Sequence, residues 1–244
     1  MPLESMVRKV AYTVGFLIAI YAATVAIQLY QPATGGYFNL GEAAIYAAAL
    51  TATPGVAAIA AGVGSALADL TTGYAIFAPG TLVIKACEGY VAAVLSRRLR
   101  RLRGPVAAGI AGLVVGGLVA SFGVIYLSGT GYFGTAWASV EIHLPWPFWL
   151  LVGGVVAVAV AAAVSRSVYA GEVAAVLIAG MVMVTGYFLY EYFISNPLTG
   201  RPPIHALAEV PVNMGQAVVG AAVGVPLAAW LRRAGYTLEA AGQG

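Results

Sequence analysis

The chain has 244 residues, of which 61% are hydrophobic and only 9% charged, with a formal net charge of +3. A soluble domain carries roughly a quarter charged residues, so water is excluded as its main solvent. Repeated long apolar segments specify an all-α, polytopic membrane helix bundle rather than a barrel. The length suits a single membrane domain spanning 1–244. Cys87 is the only cysteine, which excludes an internal disulfide, and His143 and His205 stand too far apart in sequence to suggest a metal site.

In chain order, the apolar blocks run 10–30, 41–52, 55–69, 79–96, 105–127, 147–165, 172–194 and 209–231. The first is about 20 residues long, the length of a membrane span rather than of a signal-peptide core, and is read as a retained helix. On it, Ala11, Gly15, Ala19 and Ala23 recur every four residues, with Ala22 and Ala26 on an adjacent row. A stripe of small residues lets another helix approach closely. Thr53-Pro54-Gly55 divides the next stretch into two short helices. At 1.5 Å rise per residue, neither of these comfortably crosses a core of about 30 Å. They are expected to tilt or to pack around an aqueous recess. Pro79 reads as a helix-start proline. The loops 31–38, 70–78, 128–146 and 195–208 are rich in Gly, Pro and aromatic residues, and Trp137, Trp146 and Trp149 suggest an aromatic belt.

The basic residues fix an expected topology. Arg8 and Lys9 precede the first block; Arg97, Arg98, Arg100, Arg101 and Arg103 follow the fourth; Arg166 follows the sixth; Arg232 and Arg233 follow the eighth. If all eight blocks cross, these positions share one face, which is cytoplasmic by the positive-inside rule, with both termini inside. Lys85 and Arg201 are the exceptions. The run at 97–103 reads as a topology signal and lipid-headgroup contact rather than a nucleic-acid patch.

No hydrolase triad, metal motif or Walker loop is visible, so neither enzyme chemistry nor an ATP site is expected in this chain. The Gly-rich strings lack the Lys-Ser/Thr that a phosphate loop requires. Polar residues at bilayer depth are costly to insert and become functional candidates. They are Glu42, Asp69, Lys85, Glu88, Glu191, Glu209, Asn213 and Gln216. Lys85 and Glu88 lie three apart and read equally as a structural ion pair or as part of a site. Asp69 is expected to organise the following turn by accepting from backbone N–H groups. Asn213 and Gln216 share a helical face and could serve one ligand, or act as interhelical glue.

Three segments, "GGYFNLGEAAIYAAAL", "GSALADLTTGYAIFAPGTLVIKACEGYVAAVL" and "VPVNMGQAVVG", resemble the substrate-binding S components of energy-coupling factor (ECF) transporters, in the riboflavin and hydroxymethylpyrimidine group. The resemblance covers about 35–96 and 172–231. It implies a six-helix bundle that binds one vitamin or precursor near the outer face. It also implies a transmembrane T component and two cytoplasmic ATPases as partners, with Ala19 and Ala23 matching the Ala-x-x-x-Ala pattern that meets the T component. The loop Gly35 to Asn39 maps onto part of the lid. The departure is 104–166, which adds an outward-and-back helical hairpin to the six-helix core.

These readings give an expected pocket of Tyr37, Asn39, Glu42, Lys85, Tyr187, Glu191, Asn213 and Gln216. Amides and charges would orient the polar edge of a ligand while tyrosines stack on its ring. The expected partner face is Ala11, Gly15, Ala19, Ala22, Ala23 and Ala26. A rival reading is an ion-coupled secondary transporter with Lys85, Glu88 and Glu191 as a proton relay.

Overall fold

The computed structural model describes residues 3–100, 104–126, 128–135 and 138–238. The helices are α1 (Leu3–Ala26), α2 (Gly41–Thr51), α3 (Pro54–Thr71), α4 (Ala78–Leu99), α5 (Gly104–Tyr126), α6 (Trp146–Ser165), α7 (Ala170–Tyr190), α8 (Asn196–Leu198) and α9 (Val210–Arg233). Short strands β1 (Gln28–Tyr30), β2 (Tyr37–Asn39), β3 (Gly129–Thr135) and β4 (Ala138–Leu144) form two antiparallel pairs. The architecture is thus a polytopic all-α bundle, and seven helical stretches are long and apolar enough to cross a membrane among the described residues.

Contacts divide the chain into two compact units, one of 1–101 with 175–244 and the other of 102–174. The second unit holds α5, the β3–β4 hairpin and α6. Its two helices meet at glycines: a Cβ on Gly112 or Gly116 would collide with the backbone of α6, so the small residues permit the close approach that replaces hydrophobic drive in lipid. The stretch 128–146, expected as a loop, is largely a ribbon paired from Gly129↔Leu144 to Thr135↔Ala138. Trp137 of the expected belt, and Arg101 and Arg103 of the basic run, lie outside the described residues.

In the first unit the two short apolar blocks take different forms. Residues Pro54–Thr71 make an 18-residue helix, about 27 Å long and able to cross. The expectation of two matched short helices is corrected here. Pro54 supplies the first turn of α3, where its missing N–H costs nothing. Only α2, with 11 residues and about 16 Å, falls well short of a span.

Every residue of α2 except Ala43 is buried, and α2 packs on α1, α3, α4 and α9. A polar-ended helix this short survives inside a bundle only if both of its ends find hydrogen-bond partners. At its start, the Asn39 side-chain oxygen accepts from the Gly41 N–H at 2.8 Å. At its end, Arg97 donates to the Ala52 carbonyl at 2.6 Å, while Arg100 and Arg232 donate to the Leu50 carbonyl at 3.2 and 3.3 Å. Arginines expected as a topology signal and, in the 97–103 run, as lipid-headgroup contacts therefore also cap an interior helix, where positive charge complements the C-terminal dipole. Glycines let α9 press against α2: a Cβ on Gly224 would stand 2.7 Å from the Ala43 carbonyl oxygen, and one on Gly220 would collide with Glu42.

Charge ties these helices together. Lys85 of α4, 2% exposed, is ion-paired with Glu42 of α2 and lies 3.2 Å from Glu88, one turn along its own helix. Tyr46, one turn after Glu42, donates to Glu88 at 2.9 Å. Gln216 of α9 donates to Glu42 at 2.7 Å. Buried ions are costly unless each is paired and hydrogen-bonded, and this cluster pairs the ions across three helices, leaving one Glu42 oxygen without a hydrogen-bond partner.

Two outcomes follow from these arrangements. Replacing Lys85 with Met should destabilise the detergent-solubilised protein by about 3–5 kcal/mol, because two carboxylates lose their cation; adding Glu42→Gln to that variant should recover part of the loss, read as a higher thermal unfolding midpoint than Lys85→Met alone. Arg97→Ala should cost about 1–3 kcal/mol by leaving the Ala52 carbonyl without its donor, whereas Arg98→Ala, at an exposed position, should leave the midpoint within about 0.5 kcal/mol of wild type.

Candidate functional site

The N-terminal end of α2 faces a narrow polar recess of about 30 Å³, room for about two water molecules. Its walls come from α1 (Thr24), the β2 segment (Gly36, Tyr37, Asn39), α3 (Ser65, Asp69), α4 with the residue before it (Phe77, Thr81, Lys85), α7 and its extension (Tyr187, Glu191), and α9 with the residue before it (Glu209, Asn213, Gln216). Seven of the eight expected pocket residues, Tyr37, Asn39, Lys85, Tyr187, Glu191, Asn213 and Gln216, line this recess. Glu42 is not among the lining residues; it lies behind them, held by Lys85 and Gln216. Glu88 is likewise wholly buried beneath Lys85. The two readings of Lys85 and Glu88 thus combine, since Lys85 is both an ion-pair partner and a wall of the recess.

One side is an amide-and-charge relay. Gln216 accepts from the Asn39 backbone N–H at 2.9 Å and from its side-chain amide at 3.3 Å, and donates onward to Glu42. Met183, wholly buried, presents its sulfur to both Lys85 and Gln216. The opposite side is aromatic and hydroxyl-rich. Tyr187 donates to Thr81 at 3.0 Å, and the Lys85 ammonium lies 5.4 Å from the centre of the Tyr187 ring. Such a separation is within cation–π range.

Asp69 departs from its expected role. Its carboxylate accepts from the Tyr37 hydroxyl at 2.6 Å rather than organising the turn that follows; there, the Tyr74 N–H bonds to the Asp69 main-chain oxygen at 2.9 Å. Burial, and then the neighbouring Asp69 carboxylate, push the Tyr37 phenol far above its ordinary range, which keeps it a donor. The Tyr37 ring also rests on Tyr74, with centroids 4.2 Å apart.

The segment that carries Tyr37 closes over the recess. β1 and β2 pair from Gln28↔Asn39 to Tyr30↔Tyr37, with Gly35 at φ +77° turning the connection. A left-handed conformation of this kind favours glycine. Thr34 donates to Glu209 at 2.5 Å, and the His205 ring nitrogen lies 3.2 Å from the Ala33 carbonyl oxygen. The loop is therefore tied to the 3-10 turn Pro203–Ala208 that leads into α9.

Glu191 reaches the recess through an irregularity. Pro197 has no N–H to give back to Phe193, and its ring crowds that carbonyl. Just before it, over Glu191–Ser195, the helix widens into a π turn, a feature frequent at functional sites. One Glu191 oxygen and the Asn213 side-chain nitrogen are buried without a hydrogen-bond partner.

Thr24, Ser65, Phe77 and Thr81 line the recess unanticipated, as do Asp69 and Glu209, which carried charge but were not assigned to the pocket, while Gly36 comes from the expected lid loop. The acids had a signal in their cost at membrane depth. The hydroxyls had none: Thr24 satisfies its own helix by donating to the Ile20 carbonyl at 2.8 Å, a local bond that any apolar helix tolerates.

The α1 stripe lies elsewhere. Ala11, Gly15 and Ala19 line an apolar groove with Tyr12, Phe16, Ala44, Ala47, Leu227, Leu231 and Tyr236. Ala22 and Ala26 are exposed on the adjacent row, and Ala23 is half-buried.

Comparison with known proteins places these features in a family. Residues 4–130 match the family model described as "ECF-type riboflavin transporter, S component". The matched stretch includes α1 and continues beyond α5, whereas the later part of the resemblance, 172–231, lies outside it. A Pyrococcus woesei protein described as "Uncharacterized protein in gap 3'region" is 37% identical over 107 residues, covering 44% of this chain and 69% of that one. No solved structure matches the chain. The family match over more than half of the sequence, on a multi-pass helical bundle, establishes that the chain belongs to the ECF-type riboflavin transporter S component family, whose members are the substrate-binding parts of transporters.

Proposed function

We propose that this protein captures a vitamin or vitamin precursor, riboflavin-like or pyrimidine-like, at the outer face of the membrane and delivers it for ATP-driven import. The observation that carries the reading is the buried polar recess beneath the β1–β2 segment, in a chain of a substrate-binding family. Convergent polar groups in a concave recess are what orient a small ligand.

Within this reading, Tyr37 and Tyr187 offer ring surfaces, and Asn39, Asn213 and Gln216 offer amide donors and acceptors to the polar edge of the ligand. Glu42 and Lys85 hold that wall rigid, and Glu191 supplies an acid from the opposite helix. A recess with room for about two waters must widen to admit a vitamin. The segment from Thr34 to Asn39 is the element that moves, because it lies over the recess and is held by hydrogen bonds, Thr34 to Glu209, Tyr37 to Asp69 and Asn39 to Gln216, rather than by a deep apolar core.

Energy would come from partner subunits, a transmembrane T component and two cytoplasmic ATPases. The small residues Ala11, Gly15, Ala19, Ala22, Ala23 and Ala26 form the face for the T component, because they leave a helix surface without bulky side chains. The groove behind Ala11, Gly15 and Ala19 supports this placement. Arg97, Arg100 and Arg232 gather at the far end of α2 from the recess, and with the positive-inside rule this supports a cytoplasmic position for that end and for both termini.

Isothermal calorimetry of the purified protein against flavins, pyrimidines, folates and pantothenate should give saturable binding to at least one compound; a flat response to all of them defeats the reading. In cells, Ala19→Trp with Ala23→Trp should abolish uptake while ligand binding by the purified variant is retained. Uptake that persists without ATPase partners and collapses with a protonophore would instead establish an ion-coupled transporter.

A further inference from the structure

The recess is unbalanced in charge. Asp69, Glu191 and Glu209 all line it, and among the described residues none of the three is ion-paired with a basic side chain. Lys85 is the one cation in the wall, and it is already committed to Glu42 and Glu88, two carboxylates to one ammonium. Arg201, the basic residue of the outer loop, donates to Thr199 at 2.9 Å and is not part of the recess.

Glu191 makes the imbalance pointed. It is only 1% exposed, and one of its oxygens has no hydrogen-bond partner. A carboxyl group kept from water must find a cation or strong donors or else hold a proton, since an uncompensated buried charge is among the most expensive features a protein can hold, and a cationic ligand is the partner that lets it ionise. The π turn at Glu191–Ser195 is the local distortion that presents it. The other two acids have donors of their own. Asp69 accepts from Tyr37 at 2.6 Å through one oxygen, its other oxygen being buried without a partner, and Glu209 accepts from Thr34 at 2.5 Å. Glu191 has no such bond among the described residues.

Resting on the substrate-binding reading above, we infer that the ligand is a compact organic cation, bearing a protonated amine or amidine-type nitrogen that pairs with Glu191 and is flanked by Glu209. A metal ion is a poorer fit, because no group of three His, Cys, Asp or Glu is arranged to hold one among the described residues. The aromatic walls suit the same ligand: Tyr37, Phe77 and Tyr187 border the recess, and an aromatic face attracts a positively charged ring or ammonium. The inference narrows the substrate within the family's range, away from neutral and anionic compounds.

Calorimetry on the full-length protein in nanodiscs would test it with four probes: thiamine, whose basic aminopyrimidine is joined to a fixed thiazolium cation, and 4-amino-5-hydroxymethyl-2-methylpyrimidine, which has the basic aminopyrimidine alone, as basic compounds, riboflavin as a neutral one, and pantothenate as an anion. A basic probe should bind most tightly. Glu191→Gln, which keeps the shape and removes the charge, should weaken it by about 100-fold or more, while the thermal unfolding midpoint without ligand holds or rises. Glu209→Gln, which retains an acceptor for Thr34, serves as the second variant and should weaken the same probe by about 10-fold. Tightest binding of riboflavin or pantothenate, or basic-probe binding unchanged in both variants, overturns the charge inference and leaves the substrate-binding reading standing. No binding of any of the four probes counts against both.

Discussion

The structure depends on one buried ammonium. Lys85 sits where four helices converge, and its charge is tolerable only because Glu42 and Glu88 flank it and Tyr46 and Gln216 in turn bond those carboxylates. Each of these partners comes from a definite place: Glu42 and Tyr46 from successive turns of α2, Glu88 from the next turn of α4, Gln216 from α9. The cluster therefore fixes the rotation of three helices at once. Apolar packing alone cannot do this in lipid, where hydrocarbon outside the bundle is as good a solvent as hydrocarbon inside.

That cluster also explains why an 11-residue helix lies in the middle of the bundle. α2 is too short to span, so its free N–H and C=O groups end within the protein. One end is closed by Asn39, itself tied to Gln216, and the other by Arg97, Arg100 and Arg232. The shortness creates the recess. Where α2 begins, the bundle has polar residues in place of another turn of helix, and the recess opens there between α3, α4, α7 and α9. Structural and recess-lining polarity are thus one network, with Gln216 on both sides of it.

Much of this was legible in the sequence because charge in an apolar chain is conspicuous. Glu42, Lys85, Glu191, Asn213 and Gln216 stand out against Ala, Val and Leu, and the spacing of Asn213 and Gln216 places them on one face. The arginines announced a common end. Less legible was anything whose role depends on a distant partner. Asp69 looked like a turn-former because Tyr37, 32 residues earlier, gives no local sign of reaching it. Thr24, Ser65 and Thr81 resembled ordinary hydroxyls satisfied within their own helices. The 128–146 stretch, rich in Gly and aromatics, read as a loop; its pairing as a ribbon is a cross-strand property that composition obscures.

By itself the sequence determined the solvent, the number and approximate placement of apolar helices, and the set of polar residues that had to be compensated inside. These follow from local composition and from the cost of burying charge, which acts residue by residue. Only the tertiary structure decided how the compensation is made. It joined Lys85 to Glu42 as well as to its helical neighbour Glu88, made Arg97, Arg100 and Arg232 caps for α2, and brought Glu191 through a π turn to a recess where, among the described residues, no basic side chain pairs with it. The reason is physical: a buried charge specifies that a partner must exist, but which partner depends on helix crossings set by side-chain volume, and those are visible only once the helices are packed.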